Sequence, residues 1–330
     1  MESRDCVLRR GANVHANPRV SVVIPAYAPA WLDEALESVR DQTFRDLEIV
    51  VVDDGSPEPV APARADDVVL VRQANAGPGG ARNRGVQVAR GELIALLDAD
   101  DRMAPEKLER QVAYHQASPD LVMSCTDIVL SDGETRRAAS TVRERARVTG
   151  DRIPFDRLFY ENCIVCSTVM MHRSAFLQTH GMKPHCRLGE DYGLWLRLAM
   201  IGPVGYVAEP LVERRQHAGS LMSLSMRDGS WFEQERFIYD EFLREHPHLE
   251  QEEFVSRAFA RLEFQGAWAH LARGEWAHAR RALQRSLSYR PMQPKAWFDF
   301  ARAAFHVRPS RSPGTPAATG GNAAADRTRP

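Results

Sequence analysis

A chain of 330 residues with 44% hydrophobic and 26% charged side chains has the composition of a soluble globular protein and the length for about two domains. Its formal net charge of -1 gives no electrostatic reason to expect nucleic acid as a partner. No apolar run approaches the ~18 residues of a membrane span, and the opening MESRDCVLRRGAN has no apolar signal core, so a cytoplasmic protein without a transmembrane segment is expected.

Residues 1–18 are polar and unpatterned and are expected to form a flexible tail. VSVVI (20–24) then reads as a buried strand, and LDEALESVRDQ places Leu32, Ala35, Leu36 and Val39 on one helical face. LEIVVVD (47–53), DVVLV (67–71) and ELIALLD (92–98) read as further strands, with the helix GARNRGVQVAR (80–90) between the last two. APEKLERQVAYHQ is a helix whose Pro105 suits its first turn, and LVMSCTDIVL (121–130) is another strand. Residues 131–151 lack a period and are expected to be a loop, whereas EDYGLWLRLAMIG (190–202) is a helix that ends at a glycine. Three or four helices are expected between Trp231 and His306. The Pro-, Gly- and Ala-rich remainder, 307–330, is expected to be a disordered tail.

Continuous apolar strands separated by amphipathic helices predict an α/β fold with a mostly parallel central sheet covered on both faces. Such sheets bind ligands at the C-terminal ends of their strands. That rule gathers two acidic tips on one rim: Asp53 and Asp54 after the second strand, and Asp98, Asp100 and Asp101 in LIALLDADDR after the fourth. Three carboxylates within four positions do not ionise together without a neighbouring positive charge. Asp98 and Asp100 form a D-x-D, whose hard oxygen ligands suit Mg²⁺ or Mn²⁺ and the phosphates such ions carry. Taken alone, the D-x-D fits equally well a solvated turn that caps the next helix.

Two other nucleotide readings fail on the sequence. A dinucleotide fold needs G-x-G-x-x-G directly after its first strand, where this chain has PAYAPAW; Gly77, Gly79 and Gly80 come later, and the third glycine position holds Arg82. A nucleotidyltransferase needs a Gly-rich loop at the same place. Five cysteines, an odd number, argue against a disulfide framework. Cys163 and Cys166 have metal-like spacing, but His185 and Cys186 downstream fit no zinc pattern, so the pair reads as buried thiols in an apolar strand.

SVVIPAYAPAWLDEALESVRDQTFRDLEIVVVDDGSPEP, NAGPGGARNRGVQVARGELIALLDADD and GEDYGLWLRLA together resemble the nucleotide-sugar-dependent glycosyltransferases of family 2, which have the GT-A fold, over roughly residues 19–220. The resemblance implies an inverting transfer of sugar from a nucleotide-diphosphate sugar, with a UDP-sugar favoured, to an acceptor hydroxyl on a glycan or a lipid-linked acceptor, in polysaccharide, glycolipid or cell-envelope glycan synthesis. It implies that Pro25, Ala26 and Tyr27 cradle the base, that Asp54 hydrogen-bonds it and that Arg82 touches base or phosphate. Asp98 would bind ribose or metal, Asp100 would hold Mn²⁺ or Mg²⁺ on the diphosphate, and Asp191 of GED would be the general base. His217 falls where the family often places a metal-ligating histidine, although Arg214 stands in the aromatic position before Arg215. Arg215 is a candidate diphosphate contact, since an arginine fork matches phosphate oxygens. Ala28 departs from the asparagine common after PAY and affects only a local turn or loop contact.

The expected domains are therefore a GT-A domain over 19–227 and a helical extension over 228–306. Within QGAWAHLARGEWAHARRALQRSLSYRP, Ala267, Gly274, Ala279, Leu283 and Pro291 have the offsets of one tetratricopeptide unit. The helices then serve as a cap, a dimer contact or a protein-partner surface, with Trp268, Trp276 and Trp297 as core. The arginines Arg273, Arg280, Arg281 and Arg285 form a solvated face or touch anionic headgroups, which would place the protein at the inner face of a membrane. An inactive adaptor that binds a partner through these helices is the alternative outside enzymology; the complete set of acids argues against it.

Overall fold

The computed structural model of the chain describes residues 7–10, 17–183, 189–217, 219–220, 225 and 231–306. His185, Cys186 and the expected tail 307–330 lie outside the described residues. The chain divides into two compact units, Met1–Ala258 and Phe259–Pro330.

The first unit runs β1 (Val7–Arg10), β2 (Val20–Ala26), α1 (Leu32–Arg40), β3 (Leu47–Asp53), β4 (Val68–Arg72), α2 (Gly77–Val88), β5 (Leu93–Leu96), β6 (Arg102–Met103), α3 (Lys107–Ala117) and β7 (Met123–Ser131). It continues with β8 (Arg136–Ala139), β9 (Arg152–Ile153), α4 (Phe155–Tyr160), β10 (Met170–His172), α5 (Arg173–Gln178), α6 (Glu190–Ile201), β11 (Val204–Arg215) and α7 (Trp231–Glu245). One sheet holds these strands in the order β1-β4-β3-β2-β5-β10-β7-β11-β6, with β8 beside β7 and β9 beside β11. Its central strands β4, β3, β2 and β5 are parallel, as the apolar runs predict, and β10 enters antiparallel next to β5.

Alternate residues decide which helix covers which face. Val20, Val22 and Ile24 pack with Leu32, Ala35, Leu36 and Val39 of α1 and with Leu108 and Val112 of α3, all buried. Burying a residue such as Leu36 completely stabilises the fold by roughly 1.5–3 kcal/mol. The opposite face receives α2, and Gly85 lets it come close: a Cβ there would lie 2.3 Å from Val23 Cγ1.

The expected tail over 1–18 supplies β1, which pairs antiparallel with β4; VLRR is short and half-charged, the composition of an edge strand rather than a core one. The expected loop over 131–151 contains β8, which pairs with β7 through Ile128–Ser131, and a π-helical turn over Val142–Ala146. The boundary expected at 227 falls at 258 instead. Helix α7 is part of the first unit because Tyr239 stacks on Phe159 with ring centroids 4.7 Å apart and its Oη lies 3.3 Å from Tyr192 Oη.

The turn leaving β2 carries local strain. Ala28 has φ 43°, the left-handed region that costs an alanine roughly 1–2 kcal/mol, while its N–H is fixed on Ser56 Oγ at 2.9 Å. Asparagine tolerates this conformation better than alanine does. Ala28→Asn should therefore raise unfolding free energy by about 1 kcal/mol in urea titrations; a lower midpoint would show that the turn does not store this strain.

The second unit contains most of α8 (Glu253–Arg273), α9 (Trp276–Tyr289) and α10 (Pro294–Ala304). Ala267, Leu271, Ala279, Ala282, Leu283, Leu287, Ala296 and Ala303 form its core, and Gly274 at φ 76° makes the turn from α8 to α9. Three of the expected positions, Ala267, Ala279 and Leu283, are fully buried. Trp268 is also buried, its Nε1 donating to Asp299 Oδ2 at 3.0 Å, and Trp276 packs on the core. Trp297 is not core: α10 turns Ala296, Asp299 and Ala303 inward, which leaves Trp297 54% exposed.

Candidate active site

The parallel strands end on one rim. Pro25 and Ala26 finish β2 opposite Val52 and Asp53 of β3, and Tyr27 projects beyond them, 56% exposed. Of the two acids after β3, Asp53 is structural: it accepts the N–H groups of Ser56 (2.9 Å) and Val60 (3.1 Å) and pairs with Arg72. Burial opposes its ionisation, but these partners win and hold its carboxyl below the usual range. Buried Asp54 instead accepts Gln73 Nε2 at 2.7 Å and the Ala76 N–H at 2.9 Å, which ties the tip of β3 to the start of α2.

Beyond β5 the chain passes buried Leu97 and reaches Asp98, Asp100 and Asp101, which offer oxygens all within 4.8 Å of one another. Asp98 Oδ1 accepts Arg82 Nη2 at 2.6 Å, and Asp100 Oδ2 lies 2.9 Å from His217 Nε2. Asp101 is buried, accepting Ser167 Oγ at 2.6 Å and the Arg215 N–H at 3.0 Å. Burial, followed by the charges of Asp98 and Asp100, pushes its carboxyl up to about 8. One guanidinium and one imidazole thus face three carboxyl groups. The three carboxyl groups, with an imidazole beside them, have the donor chemistry that suits a hard divalent cation.

His217 is placed by Trp31, whose ring centroid is 4.9 Å away. Arg215 lies over the same indole at 4.9 Å, donates to Glu34 Oε2 at 2.7 Å and reaches the Asp100 carbonyl at 3.3 Å. It thereby clamps the end of β11 to α1 and to the acidic loop.

Arg82 leads to the second acidic group. Its Nη1 donates to Glu190 Oε1 at 2.8 Å while Nη2 holds Asp98, so one buried side chain spans both. Gly79 permits this approach of α2 to α6, since a Cβ there would stand 2.8 Å from Glu190 Cγ. Helix α6 starts after Gly189 at φ 77°, without a side-chain cap, and Asp191 sits in its first turn with Oδ1 accepting the Tyr192 N–H at 2.7 Å. Burial raises the Asp191 carboxyl above its ordinary value, with Arg82 and the Tyr192 N–H opposing. Glu190 is pushed up to about 7, first by burial and then by Asp191. Cys166 lies beside these charges, and burial lifts its thiol far above the ordinary range. Cys163 is likewise buried; Cys166 opens a 3₁₀ turn rather than lying in the expected strand.

The structure thus gathers Asp98, Asp100, His217, Arg215, Arg82 and Asp191 around one rim, with Pro25, Ala26, Tyr27 and Asp54 on the tips of the neighbouring strands. Sequence reasoning missed Glu190, Ser167 and Trp31. The adjacency of Glu190 to Asp191 in GED was the available signal for the first; Ser167 and Trp31 reach the rim through contacts distant in sequence, which no spacing reveals.

A parallel sheet whose tips present a D-x-D beside a helix-borne acid defines a GT-A-type fold. The family model described as "Glycosyl transferase family 2" matches residues 21–179. The amylovoran biosynthesis glycosyltransferase AmsE of Erwinia amylovora is 30% identical over 233 residues, 66% of this chain and 84% of the relative. The chain belongs to glycosyltransferase family 2. It spans only 29–41% of the length of several other curated relatives it matches. Among solved structures, S. aureus TarS 1-349 in complex with UDP-GlcNAc superposes with a TM-score of 0.62 at 18% identity, covering 87% of this chain and 88% of that one. The mannosyltransferase PcManGT from Pyrobaculum calidifontis, in complex with GDP-Man and Mn²⁺, gives 0.58 at 20% identity, covering 88% and 80%. At these identities the likeness shows the fold alone.

Proposed function

We propose that this chain is an inverting glycosyltransferase that moves a sugar from a nucleotide-diphosphate sugar, a UDP-sugar by preference, to an acceptor hydroxyl in the synthesis of a polysaccharide, glycolipid or cell-envelope glycan. The observation that carries the reading is Arg82: one buried guanidinium joins Asp98 of the D-x-D to the Glu190–Asp191 pair. The leaving group and the incoming hydroxyl therefore meet across a single side chain. Neighbours of the same fold bound to UDP-GlcNAc or to GDP-Man and Mn²⁺ support the donor class, and the name of AmsE supports the pathway class.

In this reading Pro25, Ala26, Tyr27 and Asp54 receive the base, and Asp98 and Asp100, with His217, would hold Mn²⁺ or Mg²⁺. Such an ion supplies positive charge where the departing nucleoside diphosphate gains negative charge. Arg82 fixes Asp98 at the correct angle and keeps positive charge beside the diphosphate, and Arg215 holds the acidic loop in place through Glu34 and the Asp100 carbonyl. Asp191 accepts the proton of the acceptor hydroxyl as that oxygen attacks the anomeric carbon from the face opposite the leaving group, which inverts its configuration.

The deciding experiment measures melting temperature with a panel of UDP- and GDP-sugars, with and without Mn²⁺. A ligand at about a hundred times its dissociation constant stabilises the folded state by roughly 2.7 kcal/mol. A Mn²⁺-dependent rise with the true donor is expected in the native chain and absent in Asp100→Ala. Equal rises with and without Mn²⁺, or in both proteins, would overturn the assignment of Asp100.

A further inference from the structure

Formal charge is divided sharply along this chain. Residues 259–330 carry 12 Lys/Arg against 4 Asp/Glu, a net +8, whereas residues 1–258 carry 31 against 40, a net -9. The overall value of -1 conceals a strongly cationic C-terminal unit. The same unit exposes large apolar side chains on one helix and at its two ends: Met292 is 94% exposed, Trp297 54%, Phe298 64% and Phe305 80%.

These residues do not scatter. Phe298 and Phe305 stand seven positions apart on α10 and its C-terminal end, on the side opposite inward-facing Ala296, Asp299 and Ala303. Basic residues border the apolar strip. Arg302 lies beside it with its guanidinium 5.6 Å from the Phe298 ring and 3.4 Å from the buried Asp299 carboxylate, and Lys295 stands two turns earlier on the same edge, its ammonium 5.3 Å from the Trp268 ring. Arg290 is exposed at the entry to the helix. An apolar strip bordered by long cationic side chains, whose apolar stems lie along it, is the chemistry of a helix lying in a lipid headgroup region.

We propose that the outer face of α10 docks on an anionic membrane surface, with Phe298, Phe305 and Met292 entering the boundary between headgroups and acyl chains and with Arg290, Lys295 and Arg302 on the phosphates. Two other occupants are disfavoured by sequence and charge. The segment 307–330 has no Leu, Ile, Met, Phe, Tyr or Trp, so it lacks the side chains to cover the strip. A second copy would bring two +8 units face to face. Anionic lipid satisfies the apolar and the cationic halves together. This docking does not depend on the identity of donor or acceptor.

The test is co-sedimentation of the full chain with vesicles of phosphatidylcholine alone or mixed with phosphatidylglycerol, at low and high salt. Sedimentation with the mixed vesicles only, weakened by salt, is expected. Phe298→Glu/Phe305→Glu alters two exposed positions and should keep the native melting temperature while weakening vesicle binding by at least about tenfold. Arg290→Glu/Lys295→Glu should lower binding to the mixed vesicles in the same assay. A native chain that remains in the supernatant with anionic vesicles would overturn the proposal in favour of a protein occupant. Equal binding by native and Phe298→Glu/Phe305→Glu chains, or equal binding to neutral vesicles, would overturn it as well.

Discussion

Asp191→Asn is expected to slow sugar transfer by roughly 10²–10⁴-fold, the usual range for removing a general base, while donor affinity stays within a few-fold. Asparagine keeps the shape and still accepts the Tyr192 N–H that orients the side chain, but it has no lone pair basic enough to take a proton from an acceptor hydroxyl. The neighbouring Glu190 does not replace it. Glu190 is committed to the Arg82 guanidinium at 2.8 Å, whereas the Asp191 carboxylate accepts only the adjacent Tyr192 N–H among the hydrogen bonds of the described residues. Glu190→Gln should therefore slow transfer less than Asp191→Asn; the reverse order would assign the base to Glu190.

The pH profile of the native chain follows from the same environment. Burial lifts the Asp191 carboxyl, and the base works only when ionised. Activity should accordingly fall with decreasing pH through a midpoint above the ordinary aspartate value of about 3.9. Two adjacent carboxyl groups titrate as a pair, so the measured midpoint belongs to Glu190 and Asp191 together and is drawn upward by Glu190 at about 7. An acid limb at the ordinary aspartate value would remove burial as the cause.

Much of this architecture is written locally in the chain. Runs such as LEIVVVD and VSVVI have no polar face and therefore demand cover on both sides, which fixes a parallel sheet and sends its ligand to the strand tips. Asp98, Asp100 and Asp191 were readable because each follows or opens a regular element whose end was marked. The rest depends on contacts distant in sequence. Nothing local to Ser167 says that its hydroxyl will reach Asp101, 66 residues away, or that the Glu190 carboxylate will meet a guanidinium 108 residues distant. Trp297 differs for another reason: α10 carries three aromatic rings in eleven residues, and because it turns Ala296, Asp299 and Ala303 inward, only Phe300 packs on the core while Trp297 and Phe298 are left outside. Strand β1 has no local signal because pairing with β4 holds it at the edge of the sheet, and an edge strand of four residues needs no apolar pattern of its own.

Arg82→Met should lower unfolding free energy by roughly 3–5 kcal/mol, the cost of stripping one partner from a buried ion pair. Methionine fills much the same volume but leaves Glu190 buried beside Asp191 without its cation, so Glu190 must take up a proton or draw in water. The double variant Arg82→Met/Glu190→Gln removes that stranded charge and should recover at least about 1 kcal/mol of the loss in urea titrations, because residues in direct contact do not act additively. Strict additivity would mean that the two side chains do not share the load that their geometry implies. The same substitution separates support of the fold from support of the chemistry. Arg82 is the foremost group opposing burial at Asp191, so its loss should move the acid limb of the activity profile further upward, a shift that lower stability alone does not produce. Arg82→Lys keeps the charge but lacks the planar fork that serves Asp98 and Glu190 together. It should retain more stability than methionine and still lose most of the Mn²⁺-dependent donor binding, because a single ammonium cannot hold both acids in register.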